Sequence, residues 1–598
     1  MTDTKVTNFR KNPQYKKQMK HLAELITEGQ TGKGKFVVLG VEAGVGKSRE
    51  TDRAIARYLS NLEQWDRKFL LVKRFKEDVH ESVKTINQLC PNHYVAIGIT
   101  EEEWKDFLNK KNFSLIQSSQ VVVITHARYR SLSQKSNEYF RTFFEADRHT
   151  LIVDEQIEIP AFAFTDNTYG EMIGILTRHN QDVIDKVCKP LHDELDRLEK
   201  EKKNNHLLKA NPIMVDNALI KELERRVSKQ KIRSKKDRNK VNEFIDFLYN
   251  LGNTICLYNP ADGWSEARLR GLCLELDRWT LENNIILDAN AGIDKRFDYA
   301  ADMSLDVQPR FVQHNNFTFN HVKFNSSKAN KLLTADFYPK IAKLIKERQG
   351  PKDKTFVVTH EYDEKTVIKH LKKNGFKIDS DRMGRNIAVA HFGEIIGKNT
   401  WKDFNQVWVI ASPNIPMEVY PLHWSLFAQQ PITEENLLLR RPDGSFGFRE
   451  QKFEDIRIGC LVSEIYQAVK RINRDMKKQS QIYVATHDEE VVTRVRNQLK
   501  NVTVGETIDP GVKPKDNKKK EEQPKRRGRR SNRVPEMRNL ILNDLEPGEH
   551  QKKDLYNRLG WEVNGQTGRI WGKPEITELQ EPLGLISIET RFIIKHAS

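Results

Sequence analysis

The stretch KFVVLGVEAGVGKS, residues 35–48, decides the reading of this chain. A short apolar run, Phe36–Gly40, predicts a buried strand, and residues 49–62 after the loop predict a helix. Between them the pattern G-x-x-x-x-G-K-[ST] is met except at its first position, where Val41 stands. Gly44 and Gly46 allow a tight turn that aims backbone N–H groups at phosphate oxygens. The helix start adds the positive end of its dipole. On this pattern Gly44, Val45, Gly46, Lys47 and Ser48 form a nucleotide-binding loop. Lys47 reaches the β- and γ-phosphates and Ser48 serves Mg²⁺. An ordinary glycine turn is the plain alternative, and the strand–loop–helix context weighs against it.

A second run, Leu151–Val153, ends in Asp154-Glu155-Gln156. Adjacent carboxylates at a strand end, one small domain after a phosphate loop, complete a metal site. Asp154 binds Mg²⁺, and Glu155 orients or deprotonates the attacking water. Further along, Gln467, Arg471 and Arg474 recur at i, i+4 and i+7, which predicts one helical face. A guanidinium reaching in from a second domain stabilises the charge that develops on a transferred phosphoryl group.

These motifs, in this order, resemble the superfamily 2 helicases and translocases, the DEAD/DEAH-like ATPases, over about residues 30–490. The flavour is that of phage and plasmid members. Asp154-Glu155-Gln156-Ile157 stands where that family has DEAD or DExH. Asp288-Ala289-Asn290 resembles its third motif, with Asn for Thr. Thr125-His126-Ala127 is similar to a nucleic-acid-facing motif of the first domain, and Thr359-His360 to the opening motif of the second. His391–Asn399 resembles motif V. Gln467, Arg471 and Arg474 match motif VI, with Lys470 where Gly is usual. Gln14 and Gln18 are candidates for the family's adenine-reading Gln. The resemblance implies two RecA-like domains that close on ATP and Mg²⁺, and a DNA track, single-stranded or forked, with RNA as an alternative. It brings other replication proteins into view as partners.

The expected fold class is α/β, with boundaries drawn from the alternation of apolar runs and helical spacing. Residues 1–155 with 285–325 form the first parallel-sheet domain. Residues 156–284 read as a helical insertion and 326–505 as the second parallel-sheet domain. A basic linker covers 506–534, and a small winged-helix-like α+β domain covers 535–598, with helices at Met537–Leu545, Lys552–Leu559 and 567–580 and a closing hairpin; a small dimerisation domain is the plain alternative.

Composition limits the rest. The 598 residues carry a formal net charge of +17. Residues 221–240 hold +7 of it and residues 511–534 hold +8, so the remainder is nearly neutral. Both basic segments read as DNA contacts, against a solvated helix face for the first and, for the second, a soluble spacer or a nuclear localisation signal, which would place the chain in the nucleus of a eukaryotic host. No apolar run is long enough to span a bilayer. The N-terminus lacks an apolar secretory region. Five cysteines without a CxxC pair argue against zinc and iron–sulfur sites and fit a reducing cytoplasm. Three other readings compete with a strand-separating motor: a duplex-remodelling ATPase, a DNA-binding factor with ATP as a switch, and a P-loop kinase. The kinase leaves the second α/β domain unexplained.

Overall fold

The computed structural model describes residues 11–513 except 62–66, 91–94, 111–112, 134–136, 158, 177–179, 233, 253, 262–265, 274–278 and 396. After 513 it describes residues 537, 540–541, 548–559, 576, 586–588 and 591–594. The chain divides into two compact units, Met1–Lys515 and Asp516–Ser598.

In the first unit, strands β1 (Phe36–Gly40), β2 (Lys68–Lys73), β3 (Ala96–Ile99), β4 (Val121–Thr125) and β5 (Arg148–Asp154) alternate with helices. A long excursion carries β6 (Ala161–Phe164), β7 (His206–Lys209), β8 (Leu257–Asn259) and β9 (Arg268–Leu272). The chain then returns as β10 (Asn283–Leu287) and β11 (Met303–Val307). The sheet order is β11-β1-β10-β5-β2-β4-β3, parallel throughout. Runs such as Phe69–Val72 and Val121–Ile124 are apolar at every position because helices cover both faces of such a sheet, and all of these residues are buried. The nucleotide-loop strand β1 lies beside β10, and β10 beside β5. Three motif-bearing strand ends therefore meet at one edge, where parallel α/β sheets commonly bind ligands.

A second parallel sheet follows, ordered β14-β13-β15-β17-β12-β18. Its strands are β12 (Phe317–Lys323), β13 (Thr355–Thr359), β14 (Ile387–His391), β15 (Gln406–Val409), β17 (Ser480–Thr486) and β18 (Thr503–Ile508). At its centre Trp408 on β15 stacks on Tyr483 of β17, with ring centroids 3.9 Å apart and planes 7° from parallel. The expected class, two α/β domains on parallel sheets, is what the chain forms. Strands β11 and β12 interleave polar residues with apolar ones, so no continuous apolar run marks them. β18 is an exposed edge strand, and β12 carries Asn320 and His321 among its apolar residues.

The excursion between β5 and β10 is rich in helix, as expected, with helices at Asp166–Leu176, Gln181–Glu201, Asn217–Lys229 and Lys235–Asn250, the first of which no helical spacing marks. They have their own core of Val187, Leu191, Phe244 and Phe247. It also carries a small antiparallel sheet in the order β16-β7-β8-β9-β6, whose edge strand β16 (Asn436–Leu438) comes from the stretch between β15 and β17. Short strands of three to five residues leave little periodic signal, and a pairing more than 200 residues apart leaves none. The buried Glu418 ties the same two regions. Its Oε1 accepts from Arg270 Nε at 2.9 Å and also from Arg268, and its Oε2 accepts from Asn259 at 3.1 Å. Nearby, the helix Val419–Ala428 buries Tyr420, Leu422 and Phe427 in the core cluster that includes Phe36 and Val38 of the first sheet.

The second compact unit contains β19 (Gly548–Gln551), the helix Lys552–Arg558, β20 (Ile586–Ile588) and β21 (Arg591–Ile594), with antiparallel sheet order β19-β21-β20. Met537, Leu540 and Ile541 are helical and buried. The basic linker beyond residue 513, the end of the second helix at 560 and all but one residue of the third helix expected over 567–580 lie outside the described residues.

Candidate nucleotide site

β1 runs into a loop in which Gly44 has φ 84° and Gly46 has φ 95°. A Cβ built at either position would meet nothing within 4 Å. The demand for glycine is thus conformational, since only glycine adopts such angles without strain. Val41, the departure at the first motif position, is fully buried beside Val45 in the core under the loop. The helix Lys47–Leu59 begins directly on Gly46, so its unsatisfied first-turn N–H groups and positive dipole end face the loop.

Burial pushes the Lys47 ammonium below its ordinary pKa, against the opposing pull of Asp288, Asp154 and Glu155. Asp154 ends β5 and is buried. Desolvation raises its carboxyl, but the Lys73 ammonium, the Ser48 hydroxyl and Lys47 outweigh it and hold Asp154 ionised. Lys73, the last residue of β2, donates to Asp154 Oδ2 at 2.9 Å. An ionised carboxylate hydrogen-bonded by a serine hydroxyl at a helix start is a hard-oxygen donor set. That chemistry fits Mg²⁺, which takes one or two protein oxygens and completes its shell with phosphates and water.

Glu155 adopts φ 70°, an unusual angle for a residue with a side chain. Its N–H donates to Leu287 O at 3.0 Å, which fixes the turn against β10. Burial raises the Glu155 carboxyl to about 7, helped by Asp154 and Asp288 and opposed by Lys47 and Arg471. Held positive φ and a perturbed pKa together are common at functional sites. Asp288, at the end of β10, accepts from the N–H of Asn290 at 2.7 Å and of Gln156 at 3.3 Å, bridging two of the motifs.

The cleft above these residues, about 990 Å³, is lined on one side by Gly44, Lys47, Ser48, Asp154 and Glu155 and on the other by Gln467, Arg471 and Arg474. The sequence-predicted residues are therefore brought together. The expected single helical face is not what does it. The helix Gln451–Val469 stops before Arg471, and both arginines sit in the turn that follows. That turn closes through Asn473 (φ 40°), whose amide donates to Ser480 Oγ at 2.8 Å and Lys478 O at 2.7 Å. Arg471 donates to Gln467 Oε1 at 2.9 Å and Lys398 O at 3.4 Å, and Arg474 donates to Asn399 Oδ1. Burial lowers both guanidinium pKa values, Arg474 to about 9, while Glu155 pulls the other way. The stretch read as motif V thus forms the ledge for the arginines.

Other marked residues fall elsewhere. His126 is buried, with its Nε2 2.9 Å from Asp154 O, so it supports the carboxylate strand from within. The carboxamide oxygen of Asn290 has no partner among the described residues. Gln18 is buried and donates to Pro309 O at 2.7 Å, while Gln14 is exposed. In the basic stretch 221–240, Arg225 and Arg226 are tied to Glu222 at 2.7 Å, and Arg226 also to Asp182 at 2.7 Å. The residues that sequence reasoning passed over are Lys73, Asp52, Asp288 as a carboxylate, and Glu42. Lys73 carried one usable signal, a lysine closing an otherwise apolar strand.

No family model matches this chain, and no curated protein matches it in sequence. Solved structures similar to it include Xpd4 of S. tokodaii, at 10% identity and TM-score 0.47, over 81% of this chain and 98% of that one. Dbp5 of S. cerevisiae bound to RNA and ADP BeF3 is similar at 10% identity and TM-score 0.35, over 85% and 96%. The helicase MrfA bound to DNA is similar at 9% identity and TM-score 0.37, over 100% and 63%.

Proposed function

We propose that this chain is an ATP hydrolase that couples hydrolysis to movement on, or unwinding of, DNA in the replication or repair of a phage or mobile element. The observation that carries the reading is convergence. A phosphate loop and two carboxylates from one parallel-sheet domain face a glutamine and two arginines from the other across a single cleft.

The chemistry follows from the residues in place. The loop N–H groups of Gly44, Val45 and Gly46, with Lys47, cradle the phosphates. Ser48 and Asp154 would hold Mg²⁺, which would supply neutralisation of the phosphate charge. Glu155 accepts a proton from the attacking water as its oxygen bonds to the γ-phosphorus. The bond from γ-phosphorus to the bridging oxygen breaks, leaving ADP and inorganic phosphate. Arg471 and Arg474 stabilise the charge spread over the transferring group, and Gln467 holds Arg471 in place. Because donors and acceptors of charge come from different domains, occupancy of the cleft draws the domains together and product release relaxes them. This two-state cycle is the element a translocating ATPase needs.

The deciding experiment is ATP hydrolysis measured alone and with single-stranded DNA, duplex DNA and RNA, at two salt concentrations. Stimulation by DNA supports the reading. Hydrolysis indifferent to all three nucleic acids overturns it. Strand displacement measured beside translocation separates an unwinding motor from a duplex-remodelling one.

A further inference from the structure

Lys470, the departure from the arginine-bearing motif, follows the last helical residue Val469 and is buried. Its Nζ lies 3.4 Å from Glu42 Oε1 and 3.0 Å from His314 Nε2. These partners come from two other parts of the molecule. Glu42 is in the loop after β1, two residues before Gly44, and is itself buried. Its second oxygen accepts the N–H groups of Phe311 at 3.3 Å and Val312 at 3.1 Å. Those residues, with His314, lie on the connection from β11 of the first sheet to β12 of the second. The same connection is pinned to the helix that leads into the arginine turn by Arg310, which donates to Tyr466 Oη with its guanidinium 4.7 Å from the ring centroid.

One ammonium thus joins the stem of the phosphate loop, the crossing between the two sheets, and the turn that carries Arg471 and Arg474. Burying a lysine is costly unless it is paired. An apolar or small residue would fill the site without that cost, so the charge calls for a role that packing does not supply.

We propose that Lys470 is a positioning residue of the nucleotide site: through Glu42 it holds the phosphate loop and the arginine turn at a set separation. The inference rests on the proposed ATPase reading. It adds a link between two groups that the reading treats as independent.

The test is a double-mutant cycle with Lys470→Met and Glu42→Gln, which remove charge and keep size. Each variant is assayed for kcat and KM of ATP hydrolysis and for equilibrium binding of a fluorescent ADP analogue, with a thermal melt as the folding control. Each single variant should lower kcat tenfold or more while ADP affinity changes less than threefold. The double variant should be no worse than the poorer single one, because both changes cut the same link. Lys470→Arg, which keeps the charge, should recover part of kcat. Effects on kcat that multiply in the double variant would overturn the proposal. So would a lower melting temperature with kcat within twofold of wild type, as expected of a purely structural lysine. Should Lys470→Met fail to fold, Glu42→Gln alone decides by the same kcat criterion. A wild type that hydrolyses no ATP removes the ATPase reading as well. A hydrolysing wild type with indifferent variants removes only the role of Lys470.

Discussion

The ammonium of Lys73 lies 2.9 Å from Oδ2 of Asp154 and 3.9 Å from Oδ1 of Asp52, and all three side chains are almost entirely out of water. Sheet register brings the first two together. Val72 on β2 pairs with Val153 on β5, so the residues that follow each of them emerge side by side at the strand ends. The pair leaves Asp154 ionised in a place where burial alone would protonate it. Asp52 is less well compensated: burial raises it to about 6 in spite of Lys73 and the Ser82 hydroxyl. Removing one member of a buried pair typically costs about 3–5 kcal/mol, because the charge left behind keeps its desolvation penalty. Lys73→Met should therefore destabilise the protein by an amount of that order, read as a shift in the urea unfolding midpoint. A loss below about 1 kcal/mol would mean that solvent screens the pair.

Glu155 gives the pH dependence. A general base must be deprotonated before it can accept a proton, and here burial and two neighbouring carboxylates raise its pKa to about 7. kcat/KM for ATP should rise about tenfold per pH unit below that value and level off above it, because this ratio reports the free enzyme. Glu155→Gln should abolish the rise along with most of the activity. The same shift has a consequence for stability with the opposite slope. Between the ordinary carboxyl pKa and about 7 the folded state binds more protons than the unfolded one, so stability falls as pH rises through that window. Glu155→Gln should then be more stable than wild type at pH 8 and lose that advantage near pH 4.5. An advantage that is the same at both pH values would show that Glu155 is not held protonated.

Much of this site was legible because phosphate chemistry dictates local patterns. Gly44, Gly46, Lys47 and Ser48 are spaced by one loop, and Asp154-Glu155 follow one apolar strand. Local residues report local geometry, and the sheet order then places the strand ends together. What stayed hidden depends on distant pairing. Lys73 reads as an ordinary strand-end lysine until β2 is seen beside β5. Glu42 fills an unspecified position of the loop pattern and His314 belongs to no motif, so both gain meaning only when the β11–β12 connection passes the arginine turn. β16 joins the sheet of the excursion from more than 200 residues away. The misplaced helical face at Arg471 and Arg474 has a different cause. Spacing cannot reveal that Asn473 turns left-handed and that its side chain caps the turn on Ser480 and Lys478.

The arginines should separate binding from chemistry. Arg471 rests on the backbone carbonyl of Lys398 and Arg474 on the side chain of Asn399, across the cleft from Lys47 and Ser48. Guanidinium groups in this role are typically worth about 10³–10⁵ in rate. Arg474→Ala should cut kcat by at least about 10³ and leave binding of the ADP analogue nearly unchanged, as measured by single-turnover hydrolysis and equilibrium titration. Equal losses in binding and kcat would place the side chain on the ground-state nucleotide.

The two basic segments should not contribute equally to DNA binding. Affinity for duplex DNA falls with salt at a log–log slope of about −0.9 per phosphate neutralised, since each contact releases a counterion. A guanidinium already matched to a carboxylate has less charge to offer. In the segment 221–240, Arg225 and Arg226 are paired with Glu222 and Asp182, and Lys240 pairs with Glu171. Residues 511–534 carry 11 lysines and arginines against only three acids, so acid pairing within that segment can offset few of them. A chain ending at Lys515, the boundary of the first compact unit, should keep basal ATP hydrolysis. It should also bind DNA more weakly and with a shallower salt slope. Reversing the charge of Arg225 and Arg226 in the full chain should change the slope by less than one. If the shortened chain shows the full slope and the double reversal flattens it, the insertion is the main DNA contact and its ion pairs open on binding.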